Sequence, residues 1–318
     1  SRRAVTGRDL LSTRPGHGPM NVFLASAGHE MLSVRRARIS HLLLAVFVGM
    51  VSVSSIIGWI TNATVTSVYE QILAAGLTTA PNPFTSVPAL YYARNAVIYV
   101  VLIGSLMAIV LGVQATIRDR KAGTTSLILS RPVGTIARLA GQLAGLGAVI
   151  AAVLAVSMAI SWAAISIIVG EALGPDPTIR LIGFVGCAWT LLMVFASVGM
   201  LAGIFSKRES TALLVPFVVW SGLAFVLPQL GTAARPVALL NPVPITVATG
   251  GYFDLVAAIT APLAITEQFK RAASILLQDV NVPGSPIGSI AILIAFLLVA
   301  VTVVVFVPRQ KLRGALND

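Results

Sequence analysis

Few side chains here could do chemistry, and they are scattered. His17, His29 and His41 lie in the N-terminal part with no carboxylate cluster around them, so they read as interfacial polar residues and not as metal ligands. Cys187 is the single cysteine and sits inside an apolar run. Alone it can form neither an intrachain disulfide nor a cysteine-based metal site. No Gly-x-x-x-x-Gly-Lys-Ser/Thr phosphate loop and no His-Glu-x-x-His motif occurs, which removes nucleotide hydrolysis by the first route and zinc peptidase chemistry by the second. Met50, Met107, Met158, Met193 and Met200 fall in apolar runs. Thioethers are soft ligands, but without a Met-x-x-Met or Cys-x-x-Cys pattern these read as packing. Glu70, Glu171 and Asp176 stand at or beyond the ends of apolar runs. That leaves no titratable relay inside a bilayer, as a proton-coupled carrier would need, and no acid–base or Ser-His pair for an intramembrane hydrolase. No cofactor is expected on this chain.

The elements around these residues are those of a membrane protein. Of 318 residues, 57% are hydrophobic and 10% charged, against about 25% charged in a soluble domain. Such a chain cannot cover a water-facing surface. Six apolar runs are long enough to cross roughly 30 Å of hydrocarbon: about 39–61, 93–117, 135–169, 179–205, 211–230 and 286–308. The third is long enough to tilt or protrude. Pro216 and Pro228 lie in the fifth, where each removes a backbone donor and predicts a kink or a broken end.

Residues 1–19 are rich in Arg, Gly and Pro and read as a flexible tail. In 20–38, Met20, Phe23, Leu24, Ala27, Met31 and Val34 recur at helical spacing, with Arg35, Arg36 and Arg38 at the end. This predicts an amphipathic helix in the interface plane, arginines at lipid phosphates. Segments 62–92 and 231–285 are long. The first carries Pro81, Pro83 and Pro88 and reads as a loop with one short helix near 64–76. The second holds two partly apolar pieces, about 244–260 and 262–278, separated by Pro262 and too polar to span. They are read either as helices dipping into the outer leaflet or as surface helices packed over the bundle.

With the N-terminus inside, 17 of the 22 Lys and Arg residues fall on the cytoplasmic side. That asymmetry predicts both termini in the cytoplasm of a multi-pass inner or plasma membrane protein. It also accounts for the net charge of +11 without any nucleic acid.

Energy must then enter from another protein, and Arg118–Arg138 is the place for it. Arg118, Asp119, Arg120 and Lys121 extend the second span into water. Gly123 and Thr124 break the helix and offer a cap. Thr125–Ser130 can form one or two turns with Leu127, Ile128 and Leu129 apolar, followed by Arg131, and Pro132 stops it. A plain connecting hairpin would leave Leu-Ile-Leu uncovered in water, whereas a docked partner would cover it.

The run Arg-Asp-Arg-Lys-Ala-Gly-Thr-Thr-Ser-Leu-Ile-Leu-Ser-Arg-Pro-Val resembles the signature of ABC-2 type transporter permeases, nearest the branch that includes NosY of the copper-processing system for nitrous oxide reductase. Gly203–Ala212, Trp220, Phe225–Pro228 and Leu240-Asn241-Pro242 resemble the same family, as does the interfacial "elbow" helix with Phe23, Leu24, Met31, Arg35 and Arg36. Lys121 stands where the family carries a second acidic residue. The resemblance implies an all-α integral membrane permease domain over 39–308, with a cytoplasmic coupling helix between spans two and three, extracytoplasmic helices between spans five and six, and a cytoplasmic tail at 309–318. It further implies a nucleotide-binding partner subunit carrying ATP and Mg, docked on Arg118–Pro132 and on a smaller contact at Lys207, Arg208 and Glu209. A second permease copy, identical or related, would complete the assembly within the lipid bilayer. Two functions follow: export of a substrate, or transmission of force to an extracytoplasmic partner protein without bulk transport. A membrane enzyme is the third class, and no catalytic constellation supports it.

Overall fold

The computed structural model describes residues 19–80, 88–121, 135–206, 208–232, 240–245, 250–278 and 282–306. The described residues are mostly helical, with no strand among them. Helix α1 is Pro19–Arg36 and α2 is Arg38–Ala74. The second span is assembled from a 3-10 turn Ala89–Ala93, α3 (Ala96–Tyr99), a π turn Val100–Gly104 and α4 (Ser105–Lys121). Helix α5 is Thr135–Val169 and α6 is Pro175–Phe205. The fifth span joins α7 (Glu209–Ser221), a π turn Gly222–Val226 and α8 (Leu227–Thr232). Two shorter helices follow, α9 (Tyr252–Leu263) and α10 (Ile265–Leu276), and then α11 (Ile287–Phe306). Six of these stretches are long and apolar enough to cross a membrane: Ser40–Ala74, Ala89–Arg118, Ile136–Val169, Pro175–Phe205, Glu209–Leu230 and Ile287–Phe306.

Spans two and four form the centre. In the apolar stretch of each, 67% and 61% of the residues are buried, against 18%, 22% and 28% in spans one, five and six. Exposed Ile56 and Ile57 of span one, Val218 of span five and Leu298 of span six suit a surface whose solvent is hydrocarbon. The central contact is close because glycines make it so. A Cβ on Gly112 would run into the Ala196 carbonyl, one on Gly199 into the Ile109 carbonyl, and one on Gly203 into Thr116 Oγ1. Between helices in lipid, where hydrophobic burial gains nothing, this backbone approach is what supplies packing. Met107, Leu111, Leu191, Leu192 and Phe195 fill the remaining space and are fully buried.

Two boundaries differ from expectation. Helix α2 does not end near residue 61 but continues to Ala74. At 37 residues it is about 55 Å long, well beyond the thickness of a bilayer. No proline or glycine interrupts 62–74, and Tyr69-Glu70-Gln71-Ile72-Leu73-Ala74 is good helix sequence, so nothing separates the expected short helix from the span. The second difference is that Pro262 lies inside the last turn of α9 and does not divide the two short helices. The division falls at Ala264, whose φ of −75° and ψ of 72° end one helix and open the next.

Of the two prolines of the fifth span, Pro216 lies within α7 without interrupting it, whereas Pro228 lies just after a π turn. The Leu227 N–H bonds the Gly222 carbonyl. The next carbonyl, Leu223, would need the N–H of residue 228, which is proline and has none. The Thr266 hydroxyl of α10 donates to it instead, at 3.3 Å. A similar exchange ties spans two and five: Trp220 Nε1 donates to the Val101 carbonyl in the other π turn, at 3.2 Å. Such turns release carbonyls for partners outside the helix.

Candidate energy-coupling site

Arg118 closes the second span, and α4 continues for a further turn to Lys121. Expected as part of a solvated helix end, Arg118 is instead partnered. Its Nη2 donates to Glu30 Oε1 of α1 at 2.8 Å, and its Nε donates to the Gln114 carbonyl one turn back at 3.4 Å. The Glu30 side chain is 2% exposed and that of Arg118 32%. A carboxylate taken that far from water has to be paired. Ser40 of α2 donates to Gln114 Oε1 at 3.2 Å, and Gln142 Nε2 of α5 donates to the Ala115 carbonyl at 3.5 Å. Four helices therefore meet through polar groups at this one end of the bundle.

Helix α1 reaches Arg118 because α5 lets it come close. A Cβ on Gly141 would stand 2.5 Å from the Phe23 carbonyl oxygen, and one on Gly145 2.6 Å from that of Ala27. Both positions must lack a side chain for α1 to lie where it does. The expected apolar stripe on α1 is thus divided. Val34 is buried, Phe23 and Ala27 are half-buried toward α5, while Met20, Leu24 and Met31 are exposed together with Arg35 and Arg36. Sequence reasoning does not single out Glu30. The signal that could have found it is Gly141-x-x-x-Gly145, a spacing that marks a close helix contact, together with one acid in a helix otherwise free of them.

Of the remaining expected contact residues, Asp119, Arg120 and Lys121 complete α4. Gly123, Thr124, Leu127, Ile128, Leu129, Arg131 and Pro132 lie outside the described residues, and so does Lys207. Arg208 and Glu209 stand at the start of α7, Arg208 as its exposed N-cap residue and Glu209 in its first turn. Gly203, two residues before the end of α6, is wedged against Thr116. The α6–α7 corner and the Arg118 corner are therefore at the same end of the bundle.

The family model described as ABC-2 family transporter protein matches residues 24–308. The chain belongs to that family. It is a transmembrane subunit of an ABC transporter, a multi-pass membrane protein that works with an ABC ATPase partner and is not itself the ATPase. Among curated proteins, none matches the chain.

At the opposite end of the permease lies a second polar cluster that sequence reasoning misses. Lys270 of α10 is 2% exposed. Its Nζ donates to Glu267 Oε1 at 2.7 Å, and Glu267 Oε2 accepts the Ile245 N–H at 3.1 Å. Ser289 of α11 donates to Gln268 Oε1 at 2.8 Å, while Gln268 Nε2 donates to the Ala261 carbonyl of α9 at 2.9 Å. Phe269 stacks obliquely on Phe184 of α6, ring centres 6.0 Å apart. Helix α10 is therefore keyed into the bundle and buries Ile265, Phe269, Ala272 and Ala273 on one face. Among the described residues no cluster of three or more His, Cys, Asp or Glu side chains could hold a metal ion.

Proposed function

We propose that this permease converts ATP binding on the partner subunit, which carries the ATP and Mg, into export of a substrate. In this reading Arg118–Pro132 is the docking segment, with Lys207, Arg208 and Glu209 as a smaller contact. Both termini lie in the cytoplasm, and a second copy, identical or related, completes the pore in the inner or plasma membrane. The observation that carries the reading is the buried Glu30–Arg118 pair. A displacement of the docking segment arrives at Arg118, which is tied to α1 and sits on α4, and α4 is locked glycine to backbone on α6. The load therefore moves a rigid unit, not a loop. ATP can drive this only through its different affinity for two arrangements of the bundle. The test replaces Leu127 and Leu129 together by Asp. The ATPase subunit is expected to stop co-purifying and transport to cease; retention of both would remove docking from this segment.

A second reading keeps the same motor and replaces export by force transmission to an extracytoplasmic partner, as the resemblance to the NosY branch implies. What favours it is the way α10 is keyed into the bundle by Glu267, Lys270, Gln268 and Ser289, so that bundle motion would reach the surface formed by α9 and α10. Substrate-stimulated ATPase activity in liposomes supports export. Capture of a defined extracytoplasmic protein, with no such stimulation, supports transmission.

A further inference from the structure

A cavity of about 670 Å³ lies between α6, α7 and α11 at the Arg118 end of the bundle. Its walls are apolar: Val198 and Leu201 of α6, Val215 of α7 and Val303 of α11. Its polar groups gather at one end, where Ser206, Arg208 and Thr211 stand around the α6–α7 corner. Arg208 is exposed there and immediately precedes the first turn of α7. The N–H groups of a first turn have no intrahelical acceptor and add partial positive charge beside the guanidinium. Glu209 opens the same helix but does not line the cavity.

The dimensions and the charge point to one occupant. From Val198 to Ser206 the wall of α6 rises about 12 Å, close to the ~15 Å hydrocarbon depth of a single leaflet. With Val198 toward the midplane, Arg208 stands at headgroup level. The groove is then apolar over the depth of an acyl chain and cationic where a phosphate lies. A planar guanidinium suits a phosphate by paired N–H···O bonds. We propose that this groove holds an anionic phospholipid of that leaflet, its acyl chain between α6, α7 and α11 and its phosphate at Arg208.

The test uses the purified permease without its ATPase, so that any role of Arg208 in docking that subunit does not enter. Phosphatidylglycerol and phosphatidylcholine are titrated in turn and retained lipid is read by native mass spectrometry. The wild type is expected to retain phosphatidylglycerol in preference to phosphatidylcholine. Arg208→Gln is expected to lower that preference roughly tenfold, the effect of one charge-assisted hydrogen bond. Arg208→Lys, which keeps the charge and loses the planar fork, is expected to lie between. Arg208 is exposed, so neither variant disturbs packing. Inorganic phosphate is expected not to displace the lipid. Val303→Trp, which fills the groove, is expected to release it. Equal retention of the two lipids by the wild type, an unchanged preference in Arg208→Gln, or displacement by inorganic phosphate would each overturn the assignment. Lipid retained by a monodisperse Val303→Trp permease would place the chain elsewhere.

Discussion

The Glu30–Arg118 pair offers the sharpest measurement. At 2.8 Å, with the carboxylate 2% exposed, it is not the surface ion pair whose contribution is about 0–1 kcal/mol. Removing one partner of a buried pair costs about 3–5 kcal/mol, because the other charge is left behind. Two features move this pair to the low end of that range. Arg118 keeps 32% of its side-chain exposure, so its charge is partly solvated whatever Glu30 does. Its Nη1 is also buried without a hydrogen-bond partner among the described residues. The expected loss for Glu30→Gln is about 3 kcal/mol. Adding Arg118→Gln removes the stranded charge, so the double variant should fall short of the sum of the singles by about 2 kcal/mol, as for residues in direct contact. Equilibrium unfolding of the permease in mixed micelles gives all four corners of the cycle. Hydrogen exchange along α1 gives the location, with faster exchange expected in α1 and no change in α11. Additivity within about 0.5 kcal/mol would show that the pair is not coupled, and the bracing of Arg118 by α1 would then have to be abandoned.

Gly145→Leu tests the same contact without touching charge. Its side chain would collide with the Ala27 carbonyl, so α1 should leave α5 and a cysteine placed at Ser26 should become reactive to a water-soluble thiol reagent; an unreactive cysteine would argue against the contact. At the other end, Glu267→Gln takes the carboxylate away from the buried Lys270 ammonium and should cost about 3 kcal/mol, whereas Glu267→Gln with Lys270→Met should recover most of it. Unfolding midpoints that rank the double below the single would contradict the pairing.

The spans are legible in the sequence because bilayer thickness imposes a length and a polarity on every crossing segment. The start of α5 at Thr135 and the irregular turn beside Pro228 can be read because breakers act locally, although Pro216 leaves α7 unbroken. What escapes are contacts between segments far apart in the chain. Glu30 and Arg118 are separated by 88 positions, and neither residue type carries a mark of the other. Arg118 stands in a run of charges and reads as solvated with its neighbours. Lys270 reads as one of the charges outside the bundle, yet Thr266 and Lys270 lie on the same buried helical face as Ile265, Phe269 and Ala273. The amphipathic period is visible in α10; that its buried face includes a cation is a tertiary fact. The long reach of α2 is readable in principle, since the first glycine after its span is Gly76, at a φ of +67°, and a helix ends more readily at such a residue than at the polar pair Thr61-Asn62.

These contacts also locate where the bundle can bend. Helices α4 and α6 are held by three glycines against opposing backbone or hydroxyl groups, and packing that close does not slide without collision. The π turns at Val100–Gly104 and Gly222–Val226 are different. Each has a carbonyl bonded to a side chain of another helix, Val101 to Trp220 and Leu223 to Thr266. Movement delivered at Arg118 would travel along α4 and α6 as one body and be taken up at those turns. Thr266→Val makes the point testable. It leaves the Leu223 carbonyl without the hydroxyl, at a cost of about 1–3 kcal/mol, and removes a link between span five and α10. If the turn is the hinge, hydrogen exchange should rise at 222–227 while α4 and α6 keep their protection. A uniform rise across all spans would mean that the bundle yields as a whole and that the π turns are not the place where it bends.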